Sequence, residues 1–202
     1  MPNVEFVTSA NDERPDLFQS RNLNADSIIE HSKKAFAMTL PWRLHGWQMI
    51  RTNLAKKYYT VQQASYSRFN SDEYITRLLY LKSKKTALCS AVYKYRIDPN
   101  SITRKPSLKM MDYLVTILKV LDLAEKENVS NHVILSIYND YYITCKNMKK
   151  RILQFSLKDQ NIAYKLLKNS KNDFLSKMKW SYLKNAPFRT KVKFLLFMLS
   201  IR

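Results

Sequence analysis

The sequence predicts an α+β fold that is predominantly α-helical, a few short strands followed by a C-terminal helical bundle. Three observations carry this reading. From Thr86 to Tyr95 the pattern has period two, with Cys89, Ala91, Tyr93 and Tyr95 on one side and Leu88, Ser90, Val92 and Lys94 on the other, as in a partly buried strand. From Leu108 to Asn147 apolar residues recur at helical spacing. The chain holds a single glycine, Gly46, in 202 residues, so phosphate-cradling loops and dinucleotide fingerprints, which need several, are excluded.

Taken in order, Val4, Phe6 and Val7 suit a short strand, and Asn11 to Asp16, with a proline, reads as a loop. The opening MPNVEFVTSANDERPD has neither a basic n-region nor an apolar h-region, so a cytoplasmic location is expected. A helix is expected from Asp26 or Ser27, with Ser27 and Glu30 spaced as a capping box and Ile28, Ile29, Ala35 and Phe36 apolar. Pro41 is expected to end the turn after it. Leu40 to Leu54 concentrates two tryptophans, a histidine and two arginines, a density that marks core or wall. His45 has no partner at metal-ligand spacing, and no metal site is expected. Tyr58 to Phe69 is β-favouring and polar, an edge strand or a substrate-facing loop, with Tyr58 to Ser65 the strand.

Phe69 to Lys82 reads as a helix, with Asn70 as cap, Glu73 three residues on, and Ile75, Leu78, Leu79 and the Lys82 stem on one face. Asp98-Pro99-Asn100-Ser101 turns the chain after the strand. Pro106-Ser107 then opens a helix to Glu127, with Leu108, Met111, Leu114, Val115, Leu118 and Leu121 on its apolar stripe. Ser130 to Asn147 repeats the pattern through Ile134, Ile137, Tyr138, Tyr141 and Cys145, making a helical hairpin. Met148 to Asn185 offers one or two further helices. The apolar run Val192 to Ile201 is about 15 Å long as a helix, roughly half a bilayer core. It suits either a last core helix or a segment lying on an anionic membrane.

The formal charge is +19, with 15 Lys+Arg against 9 Asp+Glu in residues 1–103 and 20 against 7 in residues 104–202. Such a field attracts nucleic acid, anionic lipid or a phosphorylated substrate. No RRM, KH or zinc-finger pattern favours nucleic acid. Cys89 and Cys145 stand apart, without the spacing of a disulfide framework or zinc site.

The order Ser71-Asp72-Glu73, helix, a strand ending Tyr93-Lys94-Tyr95-Arg96, then Asn100-Ser101-Ile102-Thr103 resembles the C-terminal half of the catalytic domain of family 2 glycosyltransferases of bacterial surface-polysaccharide synthesis. Those enzymes carry an ED or DE pair, a YYYR-like strand and an SIT-like turn. Gly46 to Leu54 is similar to their WGKLYRRELL-type segment, and the resemblance covers about residues 38–105. It implies that residues 1–105 are the acceptor side of a GT-A-like domain, its strands a partial sheet edge, and that residues 106–202 form a basic helical C-terminal domain. It implies Asp72 as the base of an inverting sugar transfer, Glu73 as its neighbour, and Trp47, Arg51, Tyr93, Tyr95, Arg96 and Ser101 as substrate-binding residues. The SIIIPVYN-like opening and DxD-type metal site of the family are missing, and Asp12-Glu13 is no substitute. The chain is therefore expected to lack the nucleotide-sugar-binding half, to bind no cofactor itself and to be inactive alone. The divalent metal, Mg or Mn, and the nucleotide-sugar go with the complete fold, and a saccharide acceptor is the partner implied. Two other classes stay open: a basic helical nucleic-acid-binding module, and a peripheral membrane protein held by residues 188–202.

Overall fold

The computed structural model describes residues 1–7, 16–40, 42–67, 69–98, 101 and 105–199. The fold is α+β and mainly helical, and the chain divides into two compact units, Met1–Lys105 and Pro106–Arg202. Pro41, residues 11–15 of the expected first loop, and Pro99, Asn100, Ile102 and Thr103 of the expected turn lie outside the described residues.

The first unit runs β1 (Pro2–Val7), α1 (Leu17–Arg21), β2 (Ile28–Ile29), α2 (Ser32–Met38), α3 (Thr52–Tyr58), α4 (Val61–Ala64), α5 (Ser71–Lys82), β3 (Thr86–Ala87) and β4 (Cys89–Arg96). Its core gathers Val4, Leu17, Phe18, Ile29, Ala35, Leu44, Tyr80 and Leu88. α5 is buried on nearly all sides, from Ile75 through Leu81, which is wider than the single apolar face its sequence shows. β1 and β4 pair in parallel, Val4 opposite Tyr93 and Phe6 opposite Tyr95. Among the described residues neither strand has a second partner, and most of β4 is exposed.

Three expectations are corrected. No helix starts at Ser27, because Ile28 and Ile29 pair antiparallel with Ala87 and Thr86. Leu88 locks this pairing by accepting from the Asp26 N–H at 3.0 Å and donating to Ser27 O at 2.9 Å, while Ser27 Oγ turns back to Asn24 O at 2.7 Å. The helix starts five residues later, at Ser32. Tyr58 to Ser65 is not a strand either, for Thr60 Oγ1 accepts from the Gln63 N–H and opens the short helix α4. Asn70 stands at the start of α5 without capping it, since its Oδ1 accepts from Ser67 Oγ at 3.2 Å instead. The sequence also gave no sign of α1, which Asp16 caps by accepting from the Gln19 N–H at 2.7 Å.

The second unit is a helical bundle. A 3-10 turn (Leu108–Met111) leads into α6 (Asp112–Lys126), then α7 (Asn131–Ile152), α8 (Leu157–Lys177), α9 (Trp180–Leu183) and α10 (Phe188–Leu199). α6 packs on α7 and α7 on α8, and Asn128, at φ 51°, reverses the chain between the first pair. Of the expected stripe, Met111, Leu114, Leu118 and Leu121 are buried, Leu108 is half-buried in the 3-10 turn, and Val115 faces solvent. Aromatic rings fill the centre. Tyr141 stacks on Phe174 at 4.2 Å and 5°, and Tyr138 meets the same ring edge-on at 5.2 Å. Tyr138 OH accepts from the Lys179 N–H at 3.0 Å, and Tyr141 OH shares a 2.8 Å hydrogen bond with Ser170 Oγ. Buried Lys171 lays its ammonium over the Phe197 ring at 4.3 Å. Burial, helped by nearby Lys149, lowers its pKa to about 8. Phe174 is fully buried among these rings, so Phe174→Ala is expected to destabilise the bundle by about 3–5 kcal/mol, read by urea unfolding followed by circular dichroism.

Candidate functional site

Asp72 and Glu73 lie in the first turn of α5, where carboxylates complement the helix dipole. Both line a cleft of about 470 Å³ in the first unit, with Phe6, Leu17, Arg21, Trp42, His45, Gly46, Trp47, Gln48, Ile50, Tyr59, Thr76 and Leu79. One wall is the start of α5 and the other is the irregular segment from Trp42 to Ile50. Aromatic faces beside a few polar groups are the usual makeup of a small-molecule site.

The two carboxylates differ in their surroundings. Glu73 is tied down: Arg77, one turn on, sets Nη1 3.3 Å from Glu73 Oε2 and also donates to Glu73 O at 3.3 Å. Arg77 is 3% exposed, and its guanidinium stacks on the Trp42 ring 3.9 Å from the centroid. Trp42 is held at φ 57°, a left-handed conformation costing a residue with Cβ about 1–2 kcal/mol. A desolvated cation–π contact of about 2 kcal/mol offsets that strain. Asp72 is exposed on the cleft rim, and among the described residues no ion pair ties it.

The segment facing α5 is tied to it at His45 and Gly46, and Trp47 is tied back to His45. Tyr80 OH donates to His45 O at 2.8 Å, and burial holds that phenol well above its ordinary pKa. Gly46 lies so close to α5 that a Cβ there would meet Thr76 Oγ1 at 2.8 Å. The Trp47 N–H donates to His45 Nδ1 at 3.1 Å, placing the imidazole proton on Nε2. Burial, and secondarily the Met1 ammonium, lowers the His45 pKa from 6.5 to about 4. The ring is therefore neutral at pH 7.

Trp47 links the cleft to the strands. Its indole stacks on Tyr93 at 5.7 Å and 17°, packs on Tyr95 at 4.7 Å and meets Phe6 at 6.4 Å. Of the residues named from the sequence, Asp72, Glu73 and Trp47 share the cleft, and Tyr93 and Tyr95 back it through Trp47. Arg51, exposed at the start of α3, and Arg96, exposed at the end of β4, do not line it. Nor does Ser101, whose N–H donates to Asp98 O at 3.2 Å. Sequence reasoning missed Arg21, Tyr59 and Arg77. Only Arg77 had a readable signal, its i,i+4 spacing from Glu73. Among the described residues no three His, Cys, Asp or Glu side chains gather as a metal ion requires.

The chain matches no family model, no curated protein and no solved structure.

Two outcomes are expected. Gly46→Ala costs about 1–3 kcal/mol through the contact with Thr76, and adding Thr76→Ala recovers most of it, as thermal unfolding of the single and double variants reads out. His45 binds its proton in the unfolded chain below pH 6.5 but in the folded chain only near pH 4. Its contribution is complete above pH 6.5 and is lost as the pH falls toward 4. Lowering the pH from 7 to 5 costs about 2 kcal/mol through this residue, and His45→Gln narrows the measured gap in urea stability by that amount.

Proposed function

We propose that the first unit is the acceptor side of an inverting family 2 glycosyltransferase, with Asp72 as the base. The observation that carries this reading is the shared cleft, where the adjacent Asp72 and Glu73 and the sequence-distant Trp47 line one cavity backed by Tyr93 and Tyr95. The donor is a nucleotide-sugar and the acceptor a growing surface polysaccharide or lipid-linked saccharide. The acceptor sugar lies against the Trp42, Trp47 and Tyr59 rings, which cover its apolar face. Asp72 takes the proton of the acceptor hydroxyl as that oxygen attacks the anomeric carbon and the nucleoside diphosphate departs. Glu73, held by Arg77, positions the start of the helix, leaving Asp72 the carboxylate open to substrate.

The strand pair supports an acceptor side that works together with a donor side. Parallel sheets are normally covered on both faces and contain more than two strands, whereas β4 is largely exposed. A nucleotide-binding half that continued this sheet would cover it. The donor and its divalent ion belong to that half in this reading, and no step above passes through the ion.

The test is sugar transfer by the chain joined to or co-expressed with a donor-binding half. Transfer is expected only with both parts present, and Asp72→Ala is expected to lower it by about 10²–10⁴-fold while leaving quenching of Trp47 fluorescence by the acceptor in place. A chain whose fluorescence no saccharide alters, and which supports no transfer, would sink the reading.

A further inference from the structure

The last helix of the second unit has two apolar faces, and its own bundle uses one. Phe194 is fully buried and Phe197 is 8% exposed. Both pack edge-on against α7, Phe194 on Tyr138 at 5.9 Å and Phe197 on Tyr142 at 5.3 Å. The opposite face holds Phe188, Val192, Leu195, Leu196 and Leu199, spaced i, i+4, i+7, i+8 and i+11, so they form a single stripe along α10. Phe188 is 79% exposed, Leu196 60% and Leu199 66%. At 100° per residue Lys191 flanks this stripe on one side and Arg189 on the other, while Lys193 turns inward, its ammonium donating to Asn139 Oδ1 and lying over the Tyr142 and Phe194 rings. Residues 188–199 contain no acidic residue. A groove of about 540 Å³ runs along the helix between Tyr142 and the Arg189, Lys193 and Leu196 side chains.

We infer that the outer face of α10 seats the protein on an anionic phospholipid bilayer. The stripe enters the boundary between headgroups and acyl chains, while the cations beside it reach lipid phosphates. Twelve residues span about 18 Å, too short to cross, and no described helix is long and apolar enough to do so. The flanking cations choose the occupant. A second copy docked through this face would oppose Arg189 and Lys191 to themselves with no acid on the helix to pair them. A nucleic acid would satisfy the cations but leave five apolar side chains in water. An anionic bilayer satisfies both. This inference rests on the second unit and is independent of sugar transfer.

The full chain is tested by co-sedimentation with vesicles of phosphatidylcholine alone and of phosphatidylcholine mixed with phosphatidylglycerol. Partition is expected on the mixed vesicles and only weakly on the neutral ones. Leu196→Ser with Leu199→Ser lowers partition by at least about tenfold, and Lys191→Gln lowers it about fivefold on anionic vesicles alone. Leu196 and Leu199 are exposed, so circular dichroism is expected to show an intact fold, and Phe188→Ser at the helix start provides a second, separate test of the stripe. Soluble glycerol phosphate is expected not to compete. The inference is overturned if the full chain stays in the supernatant with both vesicles, if the serine variants partition as the native chain does, or if glycerol phosphate releases it. It is also overturned if light scattering finds a dimer that the serine variants dissolve, without any vesicle binding.

Discussion

A buried hydrogen bond, from Tyr80 OH to His45 O, ties the irregular wall of the cleft to α5. Tyr80 stands in the middle of α5 and is almost fully buried, so its hydroxyl needs a partner inside the protein. The carbonyl it finds belongs to a segment without helix or strand of its own. Fixing that carbonyl also sets Gly46 against Thr76 and turns Trp47 toward the strands. The cleft exists because an irregular segment is fastened to a rigid helix, at His45 by this hydrogen bond and at Trp42 by the Arg77 guanidinium.

From that attachment follows the division of labour between adjacent carboxylates. Successive residues of a helix point about 100° apart, so Asp72 and Glu73, though both line the cleft, meet different neighbours. Glu73 falls on the side where Arg77 and Trp42 are stacked, and it is absorbed into the wall. Asp72 falls on the open side. Two adjacent acids differ because Arg77, one turn further along α5, pairs with Glu73.

The sequence made some of this legible and hid the rest for identifiable reasons. α6 and α7 show in the pattern because their burial follows helical spacing, α5 because its apolar residues do although its burial runs unbroken from Ile75 to Leu81, and β1 and β4 because their apolar residues alternate. The stretch from Ser27 to Phe36 misleads because its Ser and Glu spacing imitates a capping box, and two isoleucines suit a helix face as well as a strand. The backbone groups of Leu88, far along the chain, decide between them. Tyr58 to Ser65 misleads through its β-favouring composition, when a threonine at the right place opens a helical turn. In the cleft, Asp72, Glu73 and Trp47 came from likeness to a family, whereas Arg21 and Tyr59 reach it only through tertiary packing that no local pattern encodes.

The pairing of β1 with β4 bears on how the first unit acquires its fold. Val4 meets Tyr93, and Val4 is also part of the core that Tyr80 and Leu88 complete, so the earliest strand has nothing to pair with until nearly the whole unit has been made. At about 5–20 residues per second of synthesis, β1 spends several seconds as an unpaired, partly apolar edge. Contacts so distant in sequence form slowly, since a long loop must close before they bring any gain. The second unit, built from neighbouring helices, carries no such delay. Conditions that slow translation or deplete chaperones would therefore reduce the yield of the cleft-bearing unit well before they affect the bundle.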